Sequence, residues 1–139
     1  MLAGMTQPDC VFCKILAGEI PGMVVAEEER AVAIMDVNPA TRGHMLVLPR
    51  AHTADLLTAP EPDLIAVAQL AQQMARRVRE RLRADGVSVM QSNGAAAWQT
   101  VFHLHVHVIP RYAGDPLQLP WKPTPGDPDE IAATAEQLR

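Results

Sequence analysis

The sequence predicts an α+β fold: an antiparallel sheet of about five strands, one long helix, and a short helix near the N-terminus. Three observations predict it. Five short apolar stretches are each bounded by turn residues, as strands are. One long stretch with helical spacing, residues 60–84, interrupts them. The strands follow one another in hairpin-like succession, which favours an antiparallel sheet over repeated βαβ units.

Taken in order, Cys10-Val-Phe-Cys13 reads as a knuckle leading into a short helix, stopped by Gly18 and Pro21. Met23 to Glu27 is the first strand and Ala31 to Met35 the second, joined by the polar turn Glu28-Glu29-Arg30. A loop rich in turn residues, Asp36 to Gly43, precedes the strand His44–Pro49, whose Met45–Leu48 run looks buried on both faces. The long helix runs from Pro60 to Ala84. Its prolines suit a first turn, and Glu61 and Asp63 suit the positive end of the dipole. Its apolar stripe is wider than one buried face needs: a deeply set core helix, or one that also meets a second subunit. Five arginines between Arg76 and Arg83 read as a solvated face. Asp85-Gly86 is expected to end the helix. Val87 to Gln91 is a fourth strand, and Ser92 to Gln99 a loop. The fifth strand is Thr100–Pro110. Beyond Arg111, five prolines up to Pro128 forbid regular structure and suggest an extended arm, with a final helix over 129–139.

Length and composition narrow the function classes. At 139 residues the chain is expected to form one domain, with its core at about residues 10–111 and an arm over 112–139. A net charge of −4 gives no general attraction to nucleic acid or anionic membrane. No apolar run is long enough to span a bilayer, and Met1–Cys10 lacks the regions of a signal peptide. The expected location is cytoplasmic, where two cysteines argue against a structural disulfide.

The chemistry concentrates in Thr100-Val-Phe-His-Leu-His-Val-His-Val-Ile-Pro110, which holds three of the five histidines. On a strand, His103, His105 and His107 point to one face, their Cα atoms roughly 6.6 Å apart. A half-solvated strand would be served as well by Thr or Ser. A row of imidazoles can bind metal or supply a base or nucleophile near neutral pH. Cys10-x-x-Cys13 has the spacing of half a zinc site; a redox pair or two buried free cysteines are the alternatives. With histidines to spare, a Cys₂His₂ structural site is preferred.

His103-Leu-His105-Val-His107-Val-Ile resembles the signature of the histidine triad family. Cys10-Val-Phe-Cys13-Lys-Ile, Gly18-Glu-Ile-Pro21, Gly43-His-Met-Leu-Val-Leu-Pro49 and Gln99-Thr-Val-Phe-His103 are similar to further blocks of that family, in its order. The resemblance covers about Cys10 to Arg111 and is closest to the bacterial Hint-like branch of zinc-binding type. It implies a nucleotide phosphoramidase or nucleotidyl hydrolase, acting on the α-phosphate of purine nucleotide conjugates through a nucleotidyl-histidine. It implies His105 as the nucleophile and His107 as a phosphate holder. By the same resemblance Asn93, Gln99 and Thr100 contact phosphate or leaving group, Asp36 grips the ribose, and Ile34 and Val37 line the base pocket. It also implies structural zinc on Cys10, Cys13, His52 and His103, and a homodimer. His44 matches a histidine near the active site, with no role assigned. Trp98 departs from the pattern, standing where many members have glycine. Competing readings are a transferase or phosphorylase of the same superfamily, a nucleotide-binding interaction protein with little turnover, and a hydrolase centred on metal at His105 and His107.

Overall fold

A computed structural model describes residues 7–139. Residues 1–6, part of the segment read above for a leader, lie outside the described residues. Three α-helices and five strands follow in order, with a 3-10 turn over Ala95–Ala97 between the last two strands: α1 (Val11–Leu16), β1 (Val24–Glu27), β2 (Ala31–Met35), β3 (Met45–Pro49), α2 (Glu61–Leu82), β4 (Gly86–Met90), β5 (Val106–Arg111) and α3 (Pro128–Leu138). The five strands form one antiparallel sheet in the order β1-β2-β3-β5-β4.

The sheet is covered on both faces, which explains why β3 is buried at every position. On one face α2 packs Val67, Leu70, Ala71, Met74 and Val78 against Ala31, Ala33, Met45, Val47 and Val108. These helix positions recur every three or four residues and so share one side. On the other face Phe12 of α1 packs with Val32, Ile34, Leu46 and Leu48. Alternation along β2 and β3 thus sends neighbouring side chains to two separate clusters. Asp63 in the first turn of α2 is buried, and Arg30 of the β1–β2 turn donates to it at 3.1 Å.

Several expectations need correction. The histidine stretch is not one strand: pairing begins only at Val106, and Thr100–His105 runs outside the sheet. Within it Phe102 is half-exposed. Pro110 does not end the strand but lies within it, opposite Val87; it has no N–H to give, and the ladder tolerates one missing donor near a strand end. The knuckle does not precede α1 but forms its start, with Cys10 as N-cap. The long helix stops at Leu82, where Arg83 takes the left-handed cap at φ 55°; Gly86, two residues past Ala84, opens β4 instead. The proline arm is irregular as expected, and α3 begins at Pro128 behind an Asp127 cap.

Candidate functional site

The site lies on the sheet face opposite α2. Val106 and Val108 pack toward that helix, so His107 between them points the other way. The alternation continues upstream although no strand partner enforces it. Leu104 is buried, and its N–H donates to the Thr53 carbonyl at 2.7 Å. His103 and His105 therefore stand beside His107, with the His105 and His107 ring centroids 5.1 Å apart. Phe12 meets His103 and His105 edge-on at 5.8 and 5.1 Å. It is the wall that holds both rings.

Backbone carbonyls set the protonation of the first two rings. His103 Nε2 donates to the Pro49 carbonyl at 2.8 Å, leaving its Nδ1 lone pair free. His105 Nδ1 donates to the His103 carbonyl at 2.7 Å, leaving its Nε2 lone pair free. A carbonyl can only accept, so each ring has one tautomer when neutral. His103 is fully buried, and burial brings its pKa down from 6.5 to about 4.

The third ring is fixed from a different direction. The Ala40 N–H donates to His44 Nδ1 at 2.9 Å, so neutral His44 carries its proton on Nε2. That nitrogen lies 2.9 Å from His107 Nδ1 and 3.4 Å from Asp36 Oδ2. His107 Nδ1 thus accepts, and its Nε2–H is the donor left to face a ligand. Burial, then the neighbouring His105 and His44, brings the His107 pKa down to about 4, so it is neutral near pH 7. Asp36 is placed by the register: Met35 pairs with Met45, which sets Asp36 opposite His44, and its N–H donates to the His44 carbonyl at 3.1 Å. Gly43 makes this turn possible. It has φ +91°, and an added Cβ would run into Leu82 Cδ1.

Cys10, Cys13, His52 and His103 form a second cluster, with one donor atom from each within 4.8 Å of the others. Cys10 Sγ lies 3.4 Å and Cys13 Sγ 3.6 Å from His103 Nδ1, and Cys13 Sγ lies 3.5 Å from His52 Nδ1. Sulfur and nitrogen around a tetrahedral ion with ordinary bond lengths would stand about 3.6 Å apart. The His103 lone pair released by Pro49 is the one that points at the thiols. Burial, then Cys10, holds the Cys13 thiol above its usual value, so an anionic Cys13 needs a cation beside it. The donor set fits a closed N₂S₂ metal site. Asp36, His44 and His107 also converge. There the Ala40 N–H occupies His44 Nδ1, which puts a proton where a metal would need a lone pair.

The remaining predicted residues divide. Gln99 is buried, and its side chain is consumed by the loop: Oε1 accepts from Gly94 N–H at 2.7 Å, and Nε2 donates to the Ala54 and Val101 carbonyls at 2.7 and 3.1 Å. Asn93 Oδ1 likewise accepts from Leu56 N–H at 2.9 Å and Gln91 Nε2 at 2.8 Å. Both side chains brace loops rather than facing open space. Thr100 is exposed at a cavity of about 430 Å³ shared with Cys10, His52, Val101 and Phe102. Ile34 is buried beneath the site, whereas Val37 is 87% exposed and walls nothing within the chain. The role of His44 was missed. Its signal lay in the pairing of two turn-bounded strands, which puts Asp36 and Gly43-His44 side by side.

Residues 17–114 match the HIT domain family. An uncharacterized HIT-like protein of Mycobacterium tuberculosis is 44% identical over 110 residues, spanning 79% of this chain and 76% of that protein. Adenylylsulfatase HINT3 of Arabidopsis thaliana is 36% identical over 111 residues, 80% of this chain and 56% of the plant protein. Among solved structures, SMU.412c from Streptococcus mutans superposes with a TM-score of 0.91 at 35% identity, covering 97% of this chain and 86% of that one. A zinc-bound histidine triad family protein from Mycobacterium smegmatis gives 0.76 at 41% identity, covering 94% and 95%.

Proposed function

Because the chain belongs to the HIT domain family, we propose that it is a nucleotide phosphoramidase or nucleotidyl hydrolase whose nucleophile is His105. The observation that carries this reading is the His105 Nδ1 to His103 carbonyl bond of 2.7 Å. In the neutral ring it leaves a lone pair on Nε2, the form a nucleophilic imidazole needs.

In the first step Nε2 attacks the α-phosphorus of a purine nucleotide conjugate. The bond to the leaving group breaks, and that group departs with the bonding pair and takes up a proton. The Nδ1–H of the resulting imidazolium stays on the His103 carbonyl. His107 Nε2–H donates to the phosphate oxygens, and Asp36 accepts from the ribose hydroxyls over the Ile34 floor. In the second step water attacks phosphorus, the P–N bond breaks, a proton is lost, and the monophosphate leaves with His105 restored. Two moderate barriers replace one high one. Asn93 and Gln99 act through the loops they brace, and Thr100 stands toward the leaving group.

Zinc on Cys10, Cys13, His52 and His103 would be structural, tying α1 to the segment that carries His105. A closed four-ligand site offers no open position for substrate. The whole chain is read as one domain with an arm, working as a homodimer. In support, β4 is an edge strand with Val89 and Met90 exposed, beside a cavity of about 540 Å³ lined by Leu64, Ala68, Ala75 and Val89. No described helix is long and apolar enough to cross a membrane.

Hydrolysis is preferred to transfer because a relative named adenylylsulfatase shares most of the chain. The test is AMP release from an adenosine phosphoramidate, with and without added inorganic phosphate. Release by wild type, lost in His105→Ala and indifferent to phosphate, supports the reading. An active His105→Ala protein would refute it, and strict dependence on phosphate would move the enzyme to the transferases.

A further inference from the structure

Trp98 is the anomaly of the loop between β4 and β5. Its indole is 68% exposed, on a loop tip otherwise made of Ala95, Ala96 and Ala97, all exposed. Its backbone has φ +74°. Among the described residues Arg83 is the one other non-glycine with positive φ, and Arg83 caps a long helix. A bulky side chain in the left-handed region costs free energy, and a ring this open to water recovers little of it by packing. Such conformations cluster where a side chain is held toward a ligand.

The loop keeps the backbone beneath this ring in one place. Gly94 and Gln99 close its base: the Gly94 N–H donates to Gln99 Oε1 at 2.7 Å, and the Gln99 N–H to the Gly94 carbonyl at 3.1 Å. Gln99 Nε2 ties that base to the Ala54 carbonyl at 2.7 Å, and the Trp98 N–H donates to the Ala95 carbonyl at 3.0 Å. This order exists before any ligand arrives, which lowers the entropy cost of using the ring as a contact.

The sheet register says which part of a substrate meets this loop. Met35 pairs with Met45 and Met45 with Val108, so Asp36 and His44 stand at the His107 end of the histidine row. His103 stands at the other end, bonded to the carbonyl of Pro49, the last residue of β3. The loop base hangs from Ala54, past that same end of β3, and Gln99 leads through Thr100 towards His103. A conjugate lying along the row, with its ribose at Asp36 and its phosphorus at His105, thus sends its leaving group toward the loop. No residue from Ser92 to Phe102 carries a charge, so this run has nothing to hold an ionised leaving group. It has instead two aromatic rings open to solvent, Trp98 and, two residues beyond Thr100, Phe102 at 50% exposure.

We propose that Trp98 determines leaving-group specificity, its indole stacking on a planar aromatic amine that departs from the α-phosphorus of the conjugate. This rests on the hydrolase reading above. Aromatic rings attract one another through offset or edge-on contact as well as through buried area, so a planar ring gains more here than an alkyl chain does. The contact is remote from the reacting atoms and acts on bound substrate and transition state alike, so it is felt in KM more than in kcat.

The test measures kcat and KM of the full-length protein on two adenosine phosphoramidates, one of 2-phenylethylamine and one of butylamine. The expected result is a wild-type preference for the aromatic conjugate that falls about tenfold in Trp98→Gly, through KM, and is largely kept in Trp98→Phe. The ratio of the two kcat/KM values decides. A loop merely loosened by glycine would slow both conjugates alike and leave that ratio unchanged. Equal ratios in wild type and Trp98→Gly overturn the role of Trp98 and leave the hydrolase standing. A preference lost as fully in Trp98→Phe as in Trp98→Gly also overturns stacking. A wild-type protein inert toward both conjugates and toward the unsubstituted phosphoramidate removes both readings.

Discussion

His105 and His44 do different work, and substitution should separate them. On the proposed mechanism His105→Ala removes the attacking nitrogen, and turnover of an adenosine phosphoramidate should fall by about three orders of magnitude or more. His44 touches no substrate in this account; it holds the tautomer of His107 through a 2.9 Å bond. His44→Ala should therefore cost about 10²-fold in kcat, as a misplaced donor does. His44→Gln, which can still donate to His107 Nδ1, should recover part of it. Steady-state kinetics on both variants checks this. The buried rings also predict a pH dependence. His107 has a folded pKa of about 4 against an ordinary 6.5. The unfolded chain takes up the proton first as pH falls. The stability of this neutral, half-buried ring is thus full above pH 6.5 and is lost between 6.5 and about 4. Denaturant midpoints measured across that range should fall, and should fall less in His107→Gln. The triad was legible in the sequence because three imidazoles at a period of two have few other uses. The partner of His107 was not, because Asp36 and His44 meet only through the β2–β3 register.

At the scale of elements, Gln99 and Asn93 hold the loop between β4 and β5. Gln99 makes three hydrogen bonds from a buried position. Gln99→Ala should destabilise the protein by about 1–3 kcal/mol, since carbonyls and an N–H lose their partners, and thermal unfolding measures it. Gly43→Ala should destabilise by about 1–2 kcal/mol, through a left-handed backbone and the Leu82 contact. The α2 core was readable from its helical periodicity, and β2 and β3 from short apolar runs bounded by turn residues. The limits of β5 were not, because Thr100–His105 has strand composition but is held by Thr53, Pro49 and Gln99 instead of a neighbouring strand. Trp98 shows a similar limit. Its φ of +74° is a backbone conformation that glycine adopts readily, yet no rule of composition marks the position as left-handed.

For the whole molecule, the N₂S₂ cluster joins the N-terminal helix, the segment after β3 and the histidine stretch. Chelation of zinc should lower the melting temperature before it lowers turnover per folded molecule, because the ion would tie the chain together rather than meet substrate. Calorimetry with and without chelator checks the order of loss. The cysteine pair was plain in the sequence, whereas composition and spacing did not name its histidine partners; the family resemblance implied His52 and His103, and the fold brings all four donor atoms within 4.8 Å of one another. The most direct measurement of the central idea, that Nε2 of His105 is the free nucleophile, is a rapid acid quench during turnover followed by mass mapping of the peptides. An adenylyl group on His105, absent when His105 is replaced by Ala, is the predicted result. Turnover with no adduct on any histidine, or an adduct on His107, would contradict it.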